Sequence, residues 1–539
     1  MATTLNAPRA SSSNFIFTMR YLSRILATVL ISPVLVLSFQ SQFIFPEVEA
    51  LKEKKVAIIG AGTGGSAAAF HLRSLSRMEG DYSITIYEKE PKAGGRMDTF
   101  TPPEAKRRII EAGASSFFKD DWCVMTAMKD VGLREQRHRR ILQRPQSSAI
   151  WDGHSLKDDP KCDLESLSWK DMCKLIIKYG ASPWRLRQQL LAVLDRWRSF
   201  TRSNTFVNLT HELERVGLNG GILGSARSFF QNAGISQRFA TEFIQPCMKV
   251  QVFQDLGRVR ALSALFSIRQ SKKTSIEGGN IRLVNRLIKL SGAELRVNST
   301  VIAIEPGLHR RYRVSATNNI TPYPSNIDSR EYDAVIIAAP LYESGKALFK
   351  SLGLDPTKLR SVSNSQFMDL HVTFFTSLSA VPPQVFNLPG NISMPDDLVF
   401  TNGSLNGLGL IRVTRGEICY WYGCYPGDEC DTCEMEFVYG VILQRPLDLN
   451  RTVNLLGHNA SEGRTMSECG IRWIHRQFWP HALPIYRKDQ PISSSIKIAP
   501  NLLYLNGAED IISSIEMSCL MGRNAANWLF HHGLSDFRM

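Results

Sequence analysis

A short apolar run, Val56-Ala57-Ile58-Ile59, leads without a spacer into Gly60-Ala61-Gly62-Thr63-Gly64-Gly65, and this junction constrains the fold more than any other feature of the 539 residues. Four consecutive apolar residues suit a strand buried on both faces, as in a parallel sheet. In the turn that follows, Gly60 allows a tight reversal, Gly62 lets the backbone approach a pyrophosphate, and Gly65 lets the next helix pack close to the strand, with Gly64 a further cofactor-binding candidate. That helix, with Ala67, Ala68 and Ala69 followed by Phe70, Leu72 and Leu75, turns its N-terminal amides and positive dipole end toward the phosphates. Ser83 to Tyr87 read as the second strand. Glu88, 23 residues after Gly65, is placed to accept hydrogen bonds from a ribose diol, and its charge disfavours a ribose phosphate.

Lys92-Ala93-Gly94-Gly95-Arg96-Met97-Asp98-Thr99 goes beyond what a nicotinamide site requires. It resembles the second glycine motif of flavoproteins in the amine oxidase and glutathione reductase superfamily, with Lys92 where an Arg is usual. The resemblance implies that Gly95 and Arg96 lie near the phosphates or ribose of the cofactor. Three distant segments are similar to others of that superfamily. Ser275-Ile276-Glu277-Gly278-Gly279-Asn280, the helix through Leu283 and Leu287, and the Val301 to Ile304 strand resemble its adenine-side segment, with Val301 at the cofactor. Tyr332 to Pro340 resembles the strand that passes beside the dinucleotide. Leu502 to Leu505 leads into Asn506-Gly507-Ala508-Glu509 and a helix start at Ser513 and Ser514; by resemblance Glu509, with Asp510 in reserve, binds the ribityl or phosphate side. The implied cofactor is FAD. The expected fold is α/β, a Rossmann-type FAD-binding domain from 51–118, 272–345 and 490–530, interleaved with an α+β substrate domain from 119–271 and 346–489.

With 43% hydrophobic and 21% charged residues the chain is neither disordered nor a multi-span membrane protein, and its formal charge of +14 fits nucleic acid, a membrane face or an acidic compartment. Residues 1–50 narrow this. Arg9, Arg20 and Arg24 precede an apolar run from Ile25 to Phe39, too short for a spanning helix and suited to the core of a secretory signal, cleaved or retained as an anchor. In that pathway seven sequons become candidate glycan acceptors: Asn208, Asn298, Asn319, Asn391, Asn402, Asn450 and Asn459. Cys419, Cys424, Cys430 and Cys433 become able to form disulfides; their spacing matches no regular zinc pattern, and no metal site is expected. A lumenal chain has no nucleic-acid partner, and the clusters Lys106-Arg107-Arg108 and Arg137-His138-Arg139-Arg140 lack interleaved aromatics. Trp169 to Phe200 reads as helical and basic, a stretch that suits peripheral binding to anionic lipid or an ordinary solvated face.

Gly234 to Ile244, the segment through Val250, the Ser275–Asn280 element and Trp479-Pro480-His481-Ala482-Leu483-Pro484 resemble the prenylcysteine oxidase family, whose plant members are called farnesylcysteine lyases. The likeness runs from Lys54 to Phe530 and weakens from about Gly423 to Cys469. It implies oxidation of a prenylated cysteine by FAD and oxygen to a prenyl aldehyde, cysteine and hydrogen peroxide in a lysosome or vacuole. Loss of a hydride needs no strong base, and no Ser-His-Asp, Cys-His or HExxH constellation is present. His481 is the one candidate catalytic residue. An amine or polyamine oxidase, or a carotenoid-type desaturase, stays open as an alternative, with Cys519 as a candidate for covalent flavin attachment.

Overall fold

The computed structural model describes residues 53–534 except 77–80, 104–108, 137–141, 143–146, 154, 159–161, 204, 270–272, 320–326, 342–347, 349–351, 353–365, 402–408, 421–433, 460–464, 487–491 and 493–494. Residues 1–50, both basic clusters, Asn402, Cys424, Cys430, Cys433 and the Cys419 side chain therefore lie outside the described residues.

The apolar run at the N-terminal end becomes β1 (Lys54–Ile59), which turns through the glycines into α1 (Thr63–Leu75) and returns as β2 (Tyr82–Tyr87). With β3 (Glu294–Arg296), β4 (Ala334–Ile337) and the C-terminal strands Leu502–Tyr504 and Lys497–Ala499 they form a six-stranded sheet. Its order is 497–499, 502–504, β4, β1, β2, β3, parallel except at the Lys497–Ala499 edge. Both faces are covered. Val56, Ile58, Ile86 and Ile336 pack toward α1 and the helix Ile281–Ser291, while Ala57, Ile59, Val335 and Ile337 pack with a three-stranded antiparallel sheet from residues 299–332. Double coverage is why these strands are apolar at consecutive positions.

The segment Tyr332–Pro340, expected as one strand, is divided at Asp333. Tyr332 ends the antiparallel sheet and Ala334 begins β4. The buried Asp333 carboxylate accepts from the Lys55 amide at 2.8 Å and Arg311 Nε at 2.9 Å, which holds the chain where it passes between sheets.

A second sheet carries β5 (Gln366–Ser377), β6 (Asp397–Phe400), β7 (Leu410–Tyr420), β8 (Glu434–Leu443) and β9 (Ile474–Ile485). Its order is β9, β5, β8, β7, β6, then Ser148–Trp151 and Leu156–Asp158. Alternation sets its faces: Phe375, Tyr439 and Val441 enter one core, while Val372, Phe374 and Ile442 face the opposite side. The stretch 423–469, where the family likeness weakens, contains β8, a strand paired on both sides.

Four further helices matter for the site: α2 (Trp122–Asp130), α3 (Trp169–Tyr179), α4 (Ser182–Thr201) and α5 (Ile515–Trp528). The helical stretch Trp169–Phe200 is two helices because Gly180 adopts φ +65° and Pro183 sits in the first turn of α4, the two residue types that stop and start helices most readily. α5 crosses α1 backbone to backbone: a Cβ on Gly522 would strike the Gly64 carbonyl oxygen and lie 2.9 Å from the Ala68 amide nitrogen. Gly522→Val is therefore expected to lower the unfolding free energy by about 1–3 kcal/mol through overpacking, read from chemical denaturation.

Candidate functional site

The site begins at the carboxyl ends of β1 and β4, where the sheet order reverses and open α/β sheets bind ligands. Gly60 sits at φ +105°, and a Cβ there would lie 2.8 Å from the Ala338 carbonyl oxygen. A Cβ on Gly65 would fall on the Gly60 carbonyl, so α1 starts in contact with the turn. Gly62 faces the second glycine motif, with its Cβ position 3.6 Å from Gly95 Cα, and the Gly94 amide donates to the Ala61 carbonyl at 3.0 Å. Two glycine turns thus meet face to face. Gly60, Gly62, Gly64 and Gly95 line the groove above them, and Gly65 is buried beneath.

Glu88 is buried on the groove wall. Its Oε2 accepts from the Ala61 amide at 2.8 Å and its Oε1 from the Glu90 amide at 3.0 Å. Each carboxylate oxygen keeps a lone pair for a ribose hydroxyl. Val301 is buried on the same wall, on a strand joined to this turn by the Ser299 amide, which donates to the Glu88 carbonyl at 2.8 Å.

Arg96 leaves the second glycine turn and ties together two distant segments. Its Nη2 pairs with Glu509, and its Nη1 donates to the Ala482 carbonyl at 3.0 Å. Glu509 is buried and lines the cavity; its Oε1 also accepts from Asn506 Nδ2 at 2.7 Å, whereas its buried Oε2 has no partner among the described residues. The Asp510 backbone carbonyl accepts from Arg260 Nε at 2.7 Å. Ala482 belongs to a bulge in β9, where residues 480–482 oppose Asp369 alone between the pairs Leu370–Trp479 and Met368–Leu483. His481 shapes that bulge: it adopts φ +56°, and its amide donates to Asp369 Oδ1 at 2.7 Å. Burial draws its imidazole below the ordinary pKa, so it faces the cavity neutral at pH 7.

Sequence reasoning missed Gly113, whose Cβ would strike the Arg96 carbonyl and lie 2.9 Å from the Trp479 ring, whose indole donates to the Ala112 carbonyl at 2.7 Å. The signal available was the small-residue run Ala112-Gly113-Ala114-Ser115-Ser116 before two phenylalanines. It also missed Glu516. This buried carboxylate accepts from the amides of Cys123 and Val124, both at 2.9 Å, and so caps the first turn of α2. Cys519, one turn further along α5, is disulfide-bonded to Cys123. That pairing corrects the expectation that Cys519 could hold a flavin covalently, because the thiol is consumed in joining α5 to α2. A second disulfide joins Cys162 to Cys247.

The groove opens into a larger space, and together they enclose about 2010 Å³, against roughly 300–1,000 Å³ for a typical small-ligand pocket. The second lobe lies between the helical insert and the Val372–Phe374 face of the second sheet, and Trp197, Phe253, Phe266, Leu370, Val372 and Phe374 line it. Both lobes share the segment Gly113–Phe118 and the β9 bulge. Of the sequons, Asn208, Asn319, Asn391, Asn450 and Asn459 are exposed and Asn298 is partly buried.

These features fit FAD: two facing glycine turns with no side chain between them, a buried carboxylate on the groove wall, and the buried, partnerless Glu509 Oε2 of a residue that lines the same cavity as the start of α5. Fold and site together define an FAD-dependent oxidoreductase of mixed α/β architecture. Residues 163–537 match the prenylcysteine lyase family and residues 58–131 an NAD(P)-binding Rossmann-like domain. The chain belongs to the prenylcysteine lyase family. Among curated proteins it is similar to prenylcysteine oxidase 1 of Homo sapiens, at 24% identity over 498 residues covering 88% of this chain and 89% of that protein. Prenylcysteine oxidase 1-like of Homo sapiens is 27% identical over 516 residues, covering 89% and 91%. The fold is shared with a redesigned putrescine oxidase, at TM-score 0.55 and 13% identity over 88% of this chain and 98% of that one. Cyclohexylamine oxidase from Brevibacterium oxydans gives TM-score 0.55 and 13% identity over 89% and 99%.

Two outcomes test the site. Gly62→Trp should fold, because a Cβ at Gly62 meets only Gly95 Cα at ordinary distance, yet its ring fills the groove; purified protein should be colourless and release no flavin on denaturation. Burial raises the carboxyl pKa of both Asp121 and Glu516, and the Asp121 charge raises Glu516 further. The folded chain therefore holds a proton that the unfolded chain has released above pH about 5, so unfolding free energy falls as pH rises from there through neutrality. The slope should approach about 1.4 kcal/mol per pH unit per proton, and Glu516→Gln should flatten it in denaturation curves measured from pH 5 to 8.

Proposed function

We propose that the chain oxidises S-farnesyl- or S-geranylgeranyl-L-cysteine and releases the prenyl aldehyde, free cysteine and hydrogen peroxide, in the breakdown of prenylated proteins. The observation that carries this reading is the apolar second lobe, which shares its walls with the dinucleotide groove and is large enough for a long hydrocarbon chain. Relatives named for prenylcysteine oxidation, similar along nearly their whole length, support the substrate class.

The carbon bonded to sulfur is also allylic, so the cation left by loss of hydride is stabilised by a sulfur lone pair and by the alkene. Bound FAD supplies the hydride acceptor and delivers both electrons to oxygen. One water adds to the cationic carbon and the hemithioacetal collapses, so thioether, oxygen and water become aldehyde, thiol and hydrogen peroxide. The protein's contribution is orientation and control of water. Phe374, Val372 and Leu370 keep one wall of the second lobe apolar, and Trp479, fixed by the Ala112 carbonyl, lines the cavity beside the β9 bulge.

The proposed location is the lumen of the secretory pathway, ending in a lysosome or vacuole, on a glycosylated protein. The signal-like residues 1–50, the exposed sequons and two disulfides between cysteines of the core support it. Peripheral contact with a membrane is supported by α3 and α4, which expose Trp169 (68%), Ile177 (87%), Trp184 (42%) and Leu191 (45%) beside Lys170, Lys174 and Arg185. Among the described residues no helix is long and apolar enough to cross a membrane.

Incubation of the purified yellow protein with S-farnesylcysteine should yield peroxide and aldehyde in equal amounts. Peroxide from spermine or benzylamine, with none from the thioether, would overturn the proposal in favour of amine oxidation.

A further inference from the structure

Among the described residues six cations line the cavity: Lys89, Lys92, Arg96, Lys119, Arg412 and Lys273. Five have a carboxylate within salt-bridge distance. Lys89 lies 3.6 Å from Glu90, Lys92 2.6 Å from Asp98 and Lys119 2.8 Å from Glu135; Arg96 pairs with Glu509, and Arg412 is held by Asp397 through two bonds of 2.7 Å. The ammonium of Lys273 has no ion-pair or hydrogen-bond partner among the described residues. The Phe118 ring lies beside it, with its centroid 6.0 Å away.

Lys273 is firmly placed. It lies on a two-residue strand, Lys273–Thr274, paired with Phe117–Phe118 in the register Phe118 to Lys273, directly after the Gly113–Ser116 segment that both lobes share. Across the second lobe it faces Arg412 and Asp397 on β7 and β6. The Arg412 guanidinium is paired in bidentate fashion with Asp397, whereas Lys273 has no carboxylate in salt-bridge contact among the described residues. Burial, and the like charge of Arg412, pull its ammonium pKa down to about 7 against the weaker opposing attraction of Asp397. A carboxylate in the lobe would reverse that and complete the site, because an enclosed charge without a partner is costly. The phosphates of a bound dinucleotide would be held at the glycine turns, away from Lys273.

We infer that Lys273 binds the free α-carboxylate of the amino-acid end of the substrate, with the prenyl chain along the apolar walls of the second lobe. This rests on the thioether reading above and sharpens it. Lys273 is then the residue that selects the free acid over a carboxyl ester.

The test compares S-farnesylcysteine with its methyl ester, through KM and kcat and through the anaerobic loss of the yellow flavin absorbance. Wild-type protein should favour the acid by about 10–100-fold in kcat/KM, the range expected for a hydrogen bond to a charged group, with the difference mainly in KM. Lys273→Met should abolish the preference by raising KM for the acid alone while retaining FAD, and Lys273→Arg should keep it. Equal use of acid and ester by wild-type protein overturns the inference without recourse to any variant, and so does an unchanged acid-to-ester ratio in Lys273→Met. Wild-type flavin that neither thioether reduces sinks the oxidation reading itself, a result distinct from a failure of the Lys273 assignment.

Discussion

Backbone must touch backbone where the dinucleotide lies, and most of the structure is arranged around that contact. Gly60 meets Ala338, Gly62 meets Gly95, Gly65 meets Gly60, and Gly522 meets Gly64. At Gly60, Gly65 and Gly522 a methyl group would displace main chain, which cannot move aside as a side chain can. β1, β4, α1, α5 and the second glycine turn are therefore locked at one crossing, and the groove there is walled by amides and carbonyls. A phosphate-bearing ligand needs such a wall, because exposed N–H groups and a helix N-terminus supply charge stabilisation in a fixed direction.

From that crossing, polar contacts reach outward to the reacting end of the cavity. Arg96 links the second glycine turn to Ala482, 386 positions away, and to Glu509, 413 positions away. Its carboxylate partner is buried, so neither charge can be removed without stranding the other. The β9 bulge and the turn before α5 are consequently fixed to the cofactor groove by one guanidinium. Glu516 and the Cys123–Cys519 disulfide do the same for the start of α5, fastening it to α2 by a carboxylate cap and a covalent bond within one helical turn.

How far the site could be read from the chain follows the range of the interactions. The first glycine turn, Glu88 and the second glycine turn lie within residues 60–96, and each is dictated by local backbone chemistry, so residue type and spacing reveal them. The strand around Tyr332–Pro340 was legible as apolar, but its division at Asp333 depends on Lys55 and Arg311 reaching that carboxylate from other elements. The helical stretch from Trp169 was legible by period, and Gly180 with Pro183 carried its break in plain view. Gly113, Gly522 and Glu516 gave no comparable signal. A lone glycine or glutamate is common, and only the approach of a distant backbone makes it necessary.

By itself the sequence determined that a buried parallel sheet would present bare backbone to a dinucleotide and place a carboxylate beside its ribose, because glycine, consecutive apolar residues and one acid at fixed spacing admit few other arrangements. Its resemblance to prenylcysteine oxidases pointed to the substrate class. Only the tertiary structure decided that Cys519 is consumed in a disulfide, that the second lobe opens onto the same Gly113–Phe118 segment as the groove, and that of the cavity's cations Lys273 alone is left without a carboxylate among the described residues. Pairing, enclosure and the absence of a partner belong to residues brought together from far along the chain, and no local pattern encodes them.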